Sequence, residues 1–379
     1  MSRCWLLLVL VVATTAARQA EADELTEEES ALQVHGFLSQ GALWTTDNNY
    51  LAQTEDGSFE FAEAGIAFSK QLDPKLRAGF QLFTRDLGWS GTYSAKFDWF
   101  NLDYRWRDWL GVRAGRTKIP FGLYNESLDI DAAQPVVLLP QSVYSASNRE
   151  FLLAQTGVEL YGYRRLGALG ALDYRAFGGT IYLTVDSTPT VRVDSVTVPY
   201  IVGARVMWEL PVTGLRVGAS AIGLKIKADL VQADTPIEAM VTQEAWVASL
   251  EYAVDRLTFS AEYGRAHSRQ SYDIPLPPAE VTSESMYAMA SYRWSPLVQP
   301  TLYYSLQYPN VDHRDGKELR QHDAALAFRF DLTPNWLLKL EGHAMRGTAA
   351  LTADLNDGVA PAALANRWWL LAAKTTVYF

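Results

Sequence analysis

The feature that most constrains this chain is an alternation of apolar and polar residues with period two, sustained over unusually long segments. Phe100, Leu102, Tyr104 and Trp106 fall on one face, while Asn101, Asp103 and Arg105 fall on the other. Leu302, Tyr304, Leu306 and Tyr308 oppose Thr301, Tyr303, Ser305 and Gln307 in the same way. Such alternation marks β-strands with one apolar and one polar face. There are about sixteen of these segments, each about 10–14 residues long. They start near Leu32, Phe59, Lys75, Lys96, Leu110, Gln155, Gly170, Pro199, Leu215, Thr242, Arg256, Ser283, Leu297, Gln321, Asn335 and Asn366. Soluble strands average ~5–6 residues, whereas a tilted strand crossing a bilayer needs roughly 9–11.

The connections alternate too. Short ones rich in Pro, Gly and Asp, such as Gln71 to Pro74, Pro211 to Gly214 and Asp331 to Pro334, have ordinary turn chemistry. Long ones run from Thr45 to Ser58, Asp86 to Ala95, Ile119 to Leu153, Tyr182 to Val198, Asp229 to Val241, Ser271 to Thr282, Pro309 to Arg320 and Gly347 to Ala365. An antiparallel up-and-down barrel with two different rims predicts this pattern. In hydrocarbon every backbone N–H and C=O needs an internal partner, so the sheet must close on itself. With about sixteen strands the interior is too wide for side chains to fill, and the reading expects water against a polar inner wall. The fold class expected is all-β: a 16-stranded antiparallel transmembrane barrel with short periplasmic turns, long extracellular loops and an inward-folded constriction loop.

The remaining composition fits export. Arg3 precedes an apolar run, Trp5 to Val12, and Ala20-Glu21-Ala22 offers an A-x-A cleavage site. Residues 1–22 are read as a cleaved signal and 23–379 as the barrel, with 119–153 as its constriction loop. The single cysteine, Cys4, leaves with the signal, so no disulfide is expected. The chain has 33 Lys+Arg against 43 Asp+Glu, a net charge of −10, which argues against nucleic acid as a partner. Its 12 Trp, 19 Tyr and 15 Phe gather near segment ends, where a membrane barrel places aromatic girdles.

Asp98 to Glu126 (DWFNLDYRWRDWLGVRAGRTKIPFGLYNE) carries a resemblance. The chain resembles Gram-negative outer-membrane porins, and this stretch is similar to the phosphate-selective porin O and P type. There a strand ending in a G-R-x-K-x-P-F-G-like run leads to a loop folded into the pore. The matching positions are Gly115, Arg116, Lys118, Pro120, Phe121 and Gly122. Leu139 to Tyr144 (LPQSVY) and Arg149-Glu150 are also similar to porin-like relatives. The resemblance implies sixteen strands in the bacterial outer membrane and contact with its lipid. It also implies a homotrimer, passive diffusion of small hydrophilic solutes or ions, and recognition of the last strand, ending in Phe379, by the outer-membrane assembly machinery.

The residues themselves place Glu126, Asp129 and Asp131 on the loop and Arg149 near its return, with Arg113, Arg116 and Lys118 on the strand before it. Opposed acids and bases across a constriction would set up a transverse field. Parity complicates the strand: Arg116 and Lys118 share one face and Arg113 the other, so either a bulge intervenes or some cations sit at the rim. The reading places Arg116 and Lys118 inside. Further wall residues expected to face the pore are Lys75, Arg77, Asp103, Arg105, Arg175, Arg205, Arg329, Lys339, Glu341 and Lys374. Inward acids also include Glu63, Glu262 and Asp323.

Catalytic signatures are sparse. The five histidines, His35, His267, His313, His322 and His343, show no H-E-x-x-H spacing, and no C-x-x-C or G-x-S-x-G occurs. A lipase-type barrel with a Ser–His pair on its rim is the alternative enzyme class. The sequence thus points to a diffusion channel with no enzyme activity, metal or cofactor. Anion (phosphate) uptake and a non-conducting barrel for adhesion or scaffolding are the alternatives.

Overall fold

Sixteen strands are present among the residues that the computed structural model describes: 31–88, 91, 93–183, 191–232 and 235–379. The expected signal, residues 1–22, lies outside them. The strands are β1 (Gln33–Thr45), β2 (Ala62–Asp73), β3 (Leu76–Asp86), β4 (Lys96–Arg107), β5 (Leu110–Lys118), β6 (Ala154–Arg165), β7 (Ala171–Thr180) and β8 (Val191–Glu209). The second half holds β9 (Leu215–Gln232), β10 (Thr235–Val254), β11 (Leu257–Tyr272), β12 (Ala279–Tyr292), β13 (Val298–Tyr308), β14 (Gln321–Thr333), β15 (Trp336–Gly347) and β16 (Arg367–Tyr378). Each pairs antiparallel with its sequence neighbours, and β1 pairs with β16 to close the barrel. Backbone bonds between Gly36 and Phe379, 3.0 Å in both directions, extend that seam.

Alternation has the physical outcome expected of it. On β13 the outward Leu302 and Tyr304 are 61% and 48% exposed, whereas the inward Tyr303 is 2% exposed. Trp44, Trp246 and Trp369 stand on the outer face towards the loop rim, and Trp106, Trp109, Trp208, Trp294 and Trp336 towards the short-turn rim. An apolar outer wall between two aromatic levels, with a ladder that leaves no edge, is the arrangement of a transmembrane β-barrel.

Two expected loops are corrected. Within Tyr182 to Val198 the residues from Val191 on are strand, as are the described residues of Asp229 to Val241, because β8, β9 and β10 run to 19, 18 and 20 residues. Residues 184–190 lie outside the described residues. The upper parts of these hairpins carry polar residues such as Asp229, Gln232, Thr235 and Glu238. Beyond the membrane both faces meet water, so backbone pairing continues after the apolar alternation has stopped.

The interior is also drier than expected at the loop level. Inward residues Leu43, Trp368 and Leu370 pack on Tyr50 and Leu51 of the first loop, Val137 and Leu138 of the loop after β5, and Leu351 and Leu364 of the last loop. A second cluster joins Val136, Leu139 and Tyr144 to Tyr287, Met289 and Tyr303 on β12 and β13. Loops, not water, cover this part of the inner wall.

Candidate functional site

The loop 119–153 leaves β5 at a narrow neck. Ile119 N–H donates to Leu153 O at 2.9 Å, and the Asn125 amide donates to Ile119 O and Leu152 O at 2.8 and 2.9 Å. Pro120 has no N–H with which to continue the ladder. Gly122 then takes φ +62°, where a Cβ would lie 2.4 Å from Tyr144 Oη and 2.8 Å from Glu262 Oε1. The chain therefore turns into the barrel at a residue that only glycine fits comfortably.

Two anchors hold it there. At the first, on β9 to β12, Gly122 N–H donates to Ser220 Oγ at 2.8 Å. Glu262 accepts bonds from the Tyr144 hydroxyl, from Leu123 N–H at 3.0 Å and from the Tyr287 hydroxyl at 2.9 Å. Burial, reinforced by the Glu262 carboxylate, pushes the Tyr144 phenol well above its ordinary value, so it stays a donor.

The second anchor lies on β14 to β16. Lys339 Nζ donates to Asp131 Oδ1 at 2.8 Å and to the Asp131 and Val136 carbonyls at 2.7 and 3.0 Å. Lys374 sits 3.2 Å from the same carboxylate and 2.6 Å from Glu63, and Thr376 donates to Asp131 at 2.7 Å. Burial would raise the Asp131 carboxyl, but the two ammoniums outweigh it and hold it well below the usual carboxylate range. Glu341 accepts Val137 N–H, and His343 lies 2.9 Å from both Glu341 and Asp323. Arg329 donates to Gln134 O at 3.2 Å and to the Ala132 carbonyl.

On the opposite side, Arg149 bonds Asp129, with Nε at 2.9 Å, and Asp98 at 3.0 Å, while its guanidinium lies 3.9 Å over the Phe83 ring. Lys118 reaches Asp129 at 2.7 Å. Burial of Asp129 is again outweighed, here by Arg149 and Lys118, and its carboxyl is held below the usual range. Glu126 pairs with Arg175 and, at 2.7 Å, with Arg205.

The sequence-predicted residues distribute as follows. Arg113, not Arg116, points inward, donating to Asp103 at 2.8 Å and Glu159 at 3.0 Å. No bulge interrupts β5 between Gly111 and Lys118 against β6, so parity decides. Arg116 is paired across from the outward Phe100, and its Nε donates to Asp98 O at 2.9 Å. Lys118 has the outward parity, yet as the last residue of β5 it turns inward to Asp129. Lys75 is corrected too: it sits exposed in the turn between β2 and β3, off the inner wall. Arg77 is inward, bonded to Ser69 at 2.7 Å and Gln33 at 3.1 Å, and Arg105 is exposed near the short-turn rim. Arg329, Lys339, Glu341 and Lys374 do point inward, but the loop covers them. The acids Glu126, Asp129 and Asp131 are neutralised by contact pairs, so they do not face the cations across open space.

Below the loop, on the β2 to β5 side, the interior leaves a cavity of about 330 Å³ lined by Arg77, Trp99, Asn101, Asp103, Arg113 and Lys118. Sequence reasoning missed Asn125, Ser220 and the anchoring role of Glu262, since nothing local marks a residue whose partner lies across the barrel. Among the described residues no group of three His, Cys, Asp or Glu is arranged to hold a metal ion.

No family model and no curated protein sequence matches the chain. Solved structures do. The chain is similar to the outer-membrane protein OmpT of Vibrio cholerae, 12% identical, with a TM-score of 0.60 over 94% of this chain and 99% of that one. OmpT has also been solved in a trimer form. An anion-selective porin from Comamonas acidovorans is 14% identical, with a TM-score of 0.56 over 92% and 99% of the two chains. The outer-membrane channel DcaP of Acinetobacter baumannii is 13% identical, with a TM-score of 0.55 over 94% and 100%. At these identities the likeness is one of fold: a closed barrel of the kind these outer-membrane proteins share.

Proposed function

We propose that the chain is a bacterial outer-membrane channel for passive diffusion of small hydrophilic solutes and ions, without catalytic chemistry. The observation that carries this reading is the loop 119–153, fixed against the inner wall from β9 to β16, with a charged cavity left beside it. A loop pinned at two places along this wall narrows the interior by a fixed amount. Solutes must then pass the remaining polar space lined by Arg113, Asp103 and Arg77, which can replace part of a solute's hydration. In this proposal the short turns face the periplasm and the long loops the exterior.

Stable conductance steps from folded protein in planar bilayers are the expected result. Silence from folded protein would leave the non-conducting adhesion or scaffold barrel as the reading.

One observation favours anion preference as a finer reading. Among the described residues Arg77 bonds only the neutral Gln33 and Ser69, with no carboxylate in contact to answer its charge. The other cavity cations are paired, which fits modest anion preference better than phosphate specificity. A homotrimer is part of the proposal, supported by the trimer form of the Vibrio neighbour. So is recognition of the final strand, ending in Phe379, during assembly.

A further inference from the structure

On the outer wall, β14, β15, β16 and β1 lie in register, so outward side chains form rows across the strands. Leu326, Gly342, Leu371 and Trp44 make one row, and Phe328, Leu340, Ala373 and Ala42 the next towards the short-turn rim. Gly342 and the two alanines leave a depression of about 780 Å³, lined almost wholly by apolar groups. Two rows from Gly342, towards the loop rim, stand His322, Arg346 and Arg367, each directly opposite the next.

The inner face has a like row on the same strands, Arg329, Lys339 and Lys374, but there Asp131 and Glu63 answer the ammoniums. Like charges directly opposite across strands destabilise a sheet. Some other outer-face arginines are answered: Arg265 and Arg314 both pair with Glu284, at 3.0 and 2.9 Å, and Arg269 pairs with Glu280 at 3.4 Å. Among the described residues no carboxylate lies within ion-pairing distance of Arg346 or Arg367, and both are exposed. His322 Nδ1 is 2.6 Å from the Tyr304 hydroxyl. Trp44 and Trp369 mark the interface level between the basic row and the groove.

We propose that this face binds a lipid whose phosphate headgroup is net anionic and unmasked by a cation of its own, with an acyl chain lying over Gly342 and the headgroup phosphate held by Arg346 and Arg367. Guanidinium forks match phosphate oxygens in pairs, and a shared anion removes the repulsion that the row otherwise suffers. The groove opens onto hydrocarbon and its polar end onto the headgroup zone, the polarity of an amphiphile. A free phosphate would leave the groove unexplained. A second copy of the chain would need to bring carboxylates to the arginines, whereas the outward carboxylate at the groove is Asp56, at its β1 edge. The inference depends on the barrel lying in a membrane and not on conduction, so a silent barrel would leave it standing.

The test uses folded protein in detergent and reads quenching of tryptophan fluorescence by lipids with brominated acyl chains. Phosphatidic acid is expected to quench at a concentration about tenfold lower than phosphatidylcholine with the same chains. In the double variant Arg346→Gln with Arg367→Gln that gap should close to about twofold or less. Gly342→Leu should weaken quenching by both lipids while the headgroup preference remains. Heat-dependent gel mobility verifies folding of each variant, and removing two opposed cations is expected to favour it. Equal quenching by the two lipids, a preference unchanged in the double variant, or equal competition from inorganic phosphate at the same concentration would each overturn the proposal. Loss of self-association in the double variant with lipid quenching unaltered would assign the face to a second copy.

Discussion

Lys339 and Asp131 meet at 2.8 Å with side chains 0% and 3% exposed, so a charge on β15 and a charge on the loop are both removed from water. The pair tolerates this because Lys374, Thr376 and two carbonyls complete its bonding. Breaking a buried pair by removing one partner costs about 3–5 kcal/mol, since the other charge stays behind. Asp131→Asn is therefore expected to loosen the loop and to raise protease cleavage within residues 119–153. Asp131→Leu combined with Lys339→Met should recover most of the lost resistance.

Gly122→Ala tests the neck. A Cβ at this positive φ meets the Tyr144 hydroxyl and the Glu262 carboxylate, and the strained backbone adds about 1–3 kcal/mol. The expected outcome is a folded barrel with a displaced loop, seen as larger and noisier single-channel steps. Steps identical to wild type would show that the neck does not set loop position.

Glu262→Ala removes one carboxylate that the Tyr144, Tyr287 and Ser249 hydroxyls and Leu123 N–H all use. Each buried donor left unpaired costs about 1–3 kcal/mol. The variant should melt lower than wild type in heat-modifiability assays, and Glu262→Gln should lie between the two.

Selectivity separates the inward and outward cations. Arg77→Ala is expected to shift the reversal potential in a salt gradient away from anion preference. Arg116→Ala, on the outward face, should leave selectivity unchanged. The opposite result would place Arg116 against the solute path and remove Arg77 from it.

Acid tolerance at the second anchor follows from Asp131, whose native carboxyl Lys339 and Lys374 hold below its unfolded value despite burial. Groups depressed in this way contribute stability that is complete above the unfolded value of ~4 and fades as pH falls towards the native one. Loop protection from protease should therefore be flat from pH 7 to about 4.5 and decline only below ~4. Loss of protection already near pH 6 would mean that another group controls the loop.

Much of the barrel was legible in the sequence because lipid on one side and a different medium on the other force period-two alternation. The expected starts at Lys96, Leu110, Leu215 and Gln321 coincide with the observed ones. Where both faces meet water, as in the upper parts of β8 to β10, the signal vanished and strand was read as loop. The site was legible only in part. Parity alone does not say which face of β5 is inward, so Arg116 was expected inside where Arg113 points, and Lys118 reaches inward only because β5 ends there. Arg329, Lys339 and Lys374 were expected against water on the inner wall and lie instead under the loop from β5, which no local pattern shows will cover β14 to β16. The Glu262 anchor depends on a partner more than a hundred positions away.

The seam between β1 and β16 has a kinetic consequence. Ser39 and Thr376 bond across it although they are 337 positions apart. Contacts between such distant positions are slow to form, because the entropy of bringing them together is lost before any bond is gained. Until the first and last strands zip, each presents a bare ladder edge to its surroundings. Hoop closure is then the committing event of maturation, and an unzipped ribbon is the form most exposed to aggregation or to a chaperone.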